Sequence, residues 1–289
     1  MLLATCGSAA LAFGVYYLTI GRDGGKPVTV NRPAPVVSST SPAPVAHTPV
    51  VAPAATATTA TTAAPVTQPP APAVPIIPLP AVKTVGNLVC IDPGHPSEVS
   101  DADSMQHGVT EVEMNWQVAL RLKALLEAQG VKVVMTKSSL GEKVTNKRRA
   151  EIANEAGAAM LIRLHCDSGK NNGYAIYAPD RQGKAQGVTG PSQAVIDASQ
   201  QAAQRLHDGM SALLAGQLKD NGVKGDSATL IGGRQGALTG SIFSTVPAVT
   251  VEMCFLSNAD DARFINSNAG QELMANALAR GVVEYLNNR

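Results

Sequence analysis

The sequence predicts an α/β fold for residues 84–289: a single domain with a mostly parallel, twisted sheet and helices on both faces. Two observations carry this expectation. Short apolar runs of strand length alternate with longer stretches whose apolar residues recur at helical spacing. Glycines stand where the helical stretches end, at Gly130, Gly157 and Gly222. No internal repeat divides the region. Strands that alternate with helices bury their apolar faces best as a parallel sheet between helical layers.

Two different kinds of segment precede this domain. Leu2 to Ile20 is an apolar run of 19 residues without a charge, close to the roughly 20 residues that cross a hydrocarbon core. A signal-peptide core is usually shorter and follows a basic stretch, whereas here Arg22 and Lys26 come after the run. Residues 1–21 are expected to be an N-terminal membrane anchor or signal segment. Residues 22–83 are expected to be a disordered Pro/Ala/Thr-rich linker. Between Pro27 and Pro80 lie fourteen of the chain's 19 prolines, and Arg32 is the only charged residue there. Proline fixes φ and removes a backbone donor, so neither helix nor central strand can run through such a stretch. An extended, partly polyproline spacer of this length could reach up to roughly 175 Å.

The overall charge is near neutral, with 23 Lys+Arg against 22 Asp+Glu. That balance argues against a dedicated nucleic-acid binder, which carries a basic excess. Four cysteines in 289 residues exclude a disulfide scaffold.

Within the domain, Asn87-Leu88-Val89-Cys90-Ile91 is a buried strand that stops at Asp92-Pro93-Gly94. Thr110 can cap a helix that runs to about Gln129. Val131 to Met135 is a second strand, Lys147 to Ala156 a helix, and Ala158 to Leu164 a third strand ending at His165. Gly173 to Ala178 is a fourth strand. Ser192 to Asn221 reads as one long helix, and Ala248 to Glu252 as a late strand. Asp260 to Phe264 and Gln271 to Asn287 read as helices.

Ligands in open α/β sheets bind at the carboxyl ends of strands. Three polar residues stand there: His95 just after the first strand, His165 at the end of the third and Glu252 at the end of a late one. Two histidines with one carboxylate and an open position form the usual ligand set of a catalytic zinc. The carboxylate candidates are Glu98, Glu111 and Glu113. His95-Pro96-Ser97-Glu98 has the His-x-x-Glu spacing of zinc carboxypeptidases. Glu111 lies on the helix face of Val118, Leu122 and Leu125, aimed toward the sheet, whereas Glu113 lies on a mixed face with Gln117, Leu120 and Glu127. His107 is a further candidate in a polar loop. Glu252 sits in an apolar run, where a carboxylate is costly unless paired or functional. It is expected to be a ligand or general base, or else a structural partner of Arg149 or Arg163.

At this point the chain resembles the zinc-dependent N-acetylmuramoyl-L-alanine amidases that cleave bacterial peptidoglycan. The resemblance spans Asn87 to Leu286 and rests on four pieces in order. They are Ile91-Asp92-Pro93-Gly94-His95; Thr110-Glu111 with Asn115; Leu161-Ile162-Arg163-Leu164-His165-Cys166-Asp167; and Pro247 to Asn258 around Glu252. It implies a Zn2+ cofactor with His95, Glu111 and His165 as metal ligands, and Glu252 as the catalytic residue. It implies hydrolysis of the amide between N-acetylmuramic acid and the L-alanine of the stem peptide. The implied partner is peptidoglycan and the implied location extracytoplasmic, in the cell envelope; the apolar N-terminal segment is expected to reach the membrane, and the catalytic domain is expected to be a monomer.

The chain departs from the family at several positions. Pro96-Ser97 replaces the glycines usual after the first histidine. Cys166 and Cys254 stand where small residues are common. Both are expected to pack as small apolar side chains, and a Cys90–Cys254 disulfide is conceivable in an oxidising envelope. Some related enzymes are held inactive by a helix over the zinc until a protein activator moves it. The helix after Ser192 is expected instead to pack on the sheet, and the Gly/Gln/Ser-rich stretches around 183–192 and 232–241 leave open a lid or wall-contacting loop. Two other readings compete: a zinc carboxypeptidase or endopeptidase using His95, Glu98 and His165, and a non-catalytic wall-binding module.

Overall fold

The computed structural model describes residues 78–83 and 87–289. The anchor or signal segment expected at 1–21, and the linker up to residue 77, lie outside the described residues. In chain order the strands are β1 (Leu88–Pro93), β2 (Lys132–Met135), β3 (Met160–Asp167), β4 (Tyr174–Ala178), β5 (Gly183–Ala185), β6 (Val188–Gly190), β7 (Asp220–Gly225) and β8 (Ala248–Phe255). The helices are α1 (Glu111–Ala128), α2 (Asn146–Glu155), α3 (Gln193–Leu214), α4 (Leu230–Gln235), α5 (Thr239–Ile242), α6 (Ala259–Asn266) and α7 (Asn268–Asn287).

Six strands form one sheet in the order β2-β1-β3-β8-β4-β7, and β5 pairs with β6 in a separate hairpin. β2, β1, β3 and β8 run parallel. β4 runs antiparallel to β8, with β7 parallel to β4. The sheet is thus mostly parallel and flanked by helices, as its alternating elements predict.

Alternation along β3 and β8 decides what each face carries. Ile162, Leu164 and Cys166, with Val249, Val251 and Met253, join the main core with residues of α1, α3 and α7. α3 packs along α7 at a close crossing, where a Cβ on Gly209 would stand 2.5 Å from the Gly281 Cα. On the opposite face, Leu161 and Ala248 pack with Ala150 and Ala153 of α2 in a smaller cluster. The next residues on that face are Arg163 paired with Thr250 and His165 paired with Glu252. The α2 layer covers the face up to Leu161, and beyond it the polar side chains line a cavity.

Three features differ from the expected elements. The helix after Ser192 ends at Leu214, not Asn221. Its start is as expected, with the Ser192 hydroxyl accepting from the Val195 amide. It stops where Gly216 adopts φ +75, and the following polar residues form β7, held by pairing with β4. The β5–β6 hairpin turns on Gln186 and Gly187, both with positive φ, as a two-residue primed turn requires. Finally, Leu79 and Val82 pack against the main core. The Ala81 carbonyl accepts from Asn287 Nδ2 at 3.0 Å, and the Lys83 amide donates to Asn287 Oδ1 at 2.8 Å. The last residues of the stretch read as linker are therefore docked on the end of α7. Among the described residues, no helix is long and apolar enough to cross a membrane.

Candidate active site

Three side chains meet at the carboxyl ends of β1 and β3. His95 follows β1 in a left-handed conformation with φ 60. Its Nδ1 lies 3.0 Å from the Ser100 carbonyl. Its Nε2 faces Glu111 Oε1 at 3.4 Å. Glu111 opens α1, and the same Oε1 lies 3.0 Å from His165 Nδ1. His165, on β3, has its Nε2 buried with no hydrogen-bond partner. The ligating atoms of His95, Glu111 and His165 all lie within 4.8 Å of one another. Gly94 is required beside them, because a Cβ there would come within 2.6 Å of three atoms of the His165 ring.

Asn115, one turn into α1, donates to the Gly94 carbonyl and to Glu111 Oε1, each at 3.3 Å. The Cys166 amide adds a third donor to Glu111. Burial by itself works to raise the Glu111 pKa. The His165 hydrogen bond and the charges of His165 and His95 outweigh it and hold this carboxyl below the usual range. Burial lowers the His165 pKa despite Glu111 beside it. Glu111 is thus held as the carboxylate, the form that binds a divalent cation.

Glu252 faces the same space from β8, in register with His165. The residue is partly exposed, yet its Oε2 is sealed from solvent and has no partner. Burial, then the negative charges of Glu111 and Asp167, push its pKa well up, with Arg163 opposing. His95, His165, Glu252, Arg163, Tyr177 and Leu230 are among the walls of a cavity of about 240 Å³.

The sequence profile described as N-acetylmuramoyl-L-alanine amidase matches residues 89–284. The chain belongs to this amidase family. Among its relatives, N-acetylmuramoyl-L-alanine amidase LytC of Bacillus subtilis strain 168 is 30% identical over 213 residues, 70% of this chain and 36% of LytC. The chain therefore matches only about a third of that relative's length. N-acetylmuramoyl-L-alanine amidase Rv3717 of Mycobacterium tuberculosis is 28% identical over 226 residues, 70% of this chain and 87% of Rv3717. Two solved structures share the fold. The amidase Ami1 of Mycobacterium smegmatis matches with a TM-score of 0.59 at 21% identity, over 73% of this chain and all of that one. The catalytic domain of CwlV from Bacillus (Paenibacillus) polymyxa var. colistinus matches with a TM-score of 0.55 at 23% identity, over 70% and 99%.

In this amidase-family chain the other sequence candidates fall outside the cluster. Glu98 Oε2 accepts from the Asn146 amide and side chain, so the His-x-x-Glu arrangement does not form. Glu113 accepts from the Thr110 hydroxyl at 3.5 Å, which leaves it at the helix start. His107 Nε2 lies 3.2 Å from the Ser257 carbonyl. Cys90, Cys166 and Cys254 are free and buried. The neighbour of Cys254 is Cys166, with sulfurs 3.6 Å apart, and not Cys90, which packs in the smaller core cluster. Burial, then the Cys254 thiol, push the Cys166 thiol up, so it stays protonated and packs as a small apolar group.

Arg149 and Arg163 do not pair with Glu252. Both ion-pair with the fully buried Asp92. Arg149 also donates to the carbonyls of Val144, Pro93 and Pro96, and Thr136 donates to the same carboxylate. Burial works against ionisation of Asp92, but the two guanidiniums and the hydroxyl prevail and hold its carboxyl far below the usual range. Lys137, itself buried, donates to the carbonyls of His95 and Leu140. This network fixes the loop that presents His95. Asp92 stands at the end of an apolar strand, and that position was the one signal of its role in the sequence.

Proposed function

We propose that His95, Glu111 and His165 hold a Zn2+ ion. Glu252 is then the general base with which this amidase-family chain cleaves the amide between N-acetylmuramic acid and the L-alanine of the peptidoglycan stem. The observation that carries the reading is the donor set. Two imidazoles and an ionised carboxylate converge, and a second carboxyl stands opposite with its pKa raised. The His165 nitrogen that faces Glu111 Oε1 is Nδ1, and His95 Nε2 faces the same oxygen, so a cation placed between these three atoms would draw on all of them.

Zn2+ bound there supplies Lewis acidity: it lowers the pKa of water toward about 7 and polarises the scissile carbonyl. The chain's own groups do the rest. The Ser100 carbonyl fixes the orientation of the His95 ring through Nδ1. The amide of Cys166 and the side chain of Asn115 orient Glu111. Glu252 takes the proton of the attacking water on its carboxylate and returns it to the leaving alanine nitrogen. A carboxyl with a raised pKa is matched to that exchange near neutral pH.

The same reading gives the unplaced parts a use. Residues 1–21 anchor the chain or direct its export, and the stretch from residue 22 up to the docked residues 79–83 tethers the amidase domain at a distance from the membrane in the cell envelope. The packing of α3 against α7 and β4 agrees with the expectation that this helix lies on the sheet.

Digestion of purified peptidoglycan by the full chain tests the substrate assignment. New α-amino groups should appear on L-alanine, with no new amino groups elsewhere in the stem. Release of a terminal D-alanine, or cleavage between other stem residues, would favour a carboxypeptidase or endopeptidase instead.

A further inference from the structure

The cavity beside the cluster carries a cation that the proposed chemistry leaves unused. Arg163 lies two residues before His165 on the same sheet face, across from Thr250. Its side chain is 5% exposed and lines the cavity with His95, His165 and Glu252. Nε donates to Asp92 Oδ2 at 2.8 Å, and one terminal nitrogen, Nη2, donates to Asn146 Oδ1 at 2.6 Å. Asn146 is in turn held by Glu98. The other terminal nitrogen, Nη1, has no acceptor among the described residues. A Cβ on Gly240 would stand 2.7 Å from it, so glycine keeps room for the guanidinium at that wall.

Charge bookkeeping points the same way. Asp92 is one carboxylate shared by two guanidiniums. Arg149 is fully enclosed and engaged with backbone carbonyls. Of the two guanidiniums, Arg163 is the one that lines the cavity. Its only ion pair among the described residues is with Asp92, and neither Glu252 nor Asp226 lies within ion-pairing distance of it. A rigid guanidinium with one terminal nitrogen left without an acceptor in a cavity wall is suited to a carboxylate.

We propose that Arg163, positioned by Asp92 and Asn146, is a carboxylate subsite that selects stem peptides with a free α-carboxylate on the residue after L-alanine. This rests on the amidase reading above. The subsite is a matter of specificity. It binds the acid form of that second residue and disfavours its amidated form, which lacks the charge and one acceptor.

The experiment compares two soluble muramoyl peptides that differ only at this group, one with D-glutamate and one with D-isoglutamine after L-alanine. The full chain should cleave the acid with about 10–100-fold higher kcat/KM, the range expected for one charge-assisted hydrogen-bonded contact. The difference should fall mainly in KM. The product dipeptides L-Ala-D-Glu and L-Ala-D-isoglutamine should show the same order of affinity by calorimetry. In Arg163→Gln the ratio should collapse toward one. Arg163→Lys, which retains a cation for Asp92, should keep a reduced preference for the acid. A purely structural Arg163 would lower the rates on both peptides and leave the ratio unchanged, which would overturn the subsite. Equal cleavage and equal product binding in the wild-type chain would overturn it too, while the amidase reading stood. Cleavage of neither peptide by zinc-loaded chain would instead overturn the amidase reading, and the subsite with it.

Discussion

Glu252→Gln is expected to lower kcat by about 10²–10⁴-fold, the usual contribution of a positioned general base, while the metal content stays at the wild-type level. Glutamine has nearly the volume of glutamate but cannot take a proton from water near neutral pH. His95, Glu111 and His165 contact one another, and Glu252 does not share their hydrogen bonds, so the metal cluster should survive. The same substitution should leave the thermal midpoint unchanged or raise it. In the native chain, burial and the charges of Glu111 and Asp167 disfavour an ionised Glu252, and its Oε2 has no partner. A neutral amide removes that strain, the pattern expected where a site gives up stability for function. Steady-state kinetics with metal analysis and a thermal melt on one preparation would check all three. Near-wild-type kcat would remove Glu252 from the role of base.

Arg149→Met is expected to cost about 3–5 kcal/mol of folding stability, read from urea denaturation, because it leaves a buried charge without its main partner. Arg149 is fully buried, and it links Asp92 to the carbonyls of Val144, Pro93 and Pro96. Methionine keeps much of the volume but satisfies none of those acceptors. A change below about 1 kcal/mol would mean that water or Arg163 takes over, and that the network matters less than its burial suggests. The network also sets a pH dependence. The folded-state pKa of Asp92 lies below its unfolded value of about 3.9. Its contribution is therefore complete above that value and is lost as pH falls toward the depressed native one. Stability of the wild-type chain should decline in that acidic window, and Asp92→Asn should flatten the decline.

Much of the site could be read along the chain because strand ends in a parallel sheet are both structural and chemical positions. His95 follows β1 and His165 lies near the end of β3, whereas Glu252 is inside β8, which continues to Phe255 and not only to Glu252 as expected; sheet order brings these strands side by side as β1, β3 and β8. Glu111 followed from helical phase, since it shares the inward face of α1 with Val118 and Leu122. What failed was pairing across the sheet. Arg149 and Arg163 look like partners for Glu252 by sequence, yet Asp92 lies closer in space, and only tertiary register shows it. β7 was missed because Asp220-Asn221-Gly222-Val223-Lys224-Gly225 has no apolar alternation. It is a strand because it pairs with β4 at the sheet edge. The β5–β6 hairpin is too short for periodicity to show, although Gln186-Gly187 between two brief strands is a turn signal.

Everything proposed for the site depends on His95, Glu111 and His165 holding one catalytic metal ion. Elemental analysis of the purified full chain, paired with amidase assays before and after chelation and in His165→Ala, tests it most directly. The expected result is about one zinc per chain, loss of activity on chelation with recovery on adding zinc back, and neither metal nor activity in His165→Ala. Undiminished activity in chelated, metal-free chain, or stoichiometric zinc retained by His165→Ala, would contradict it.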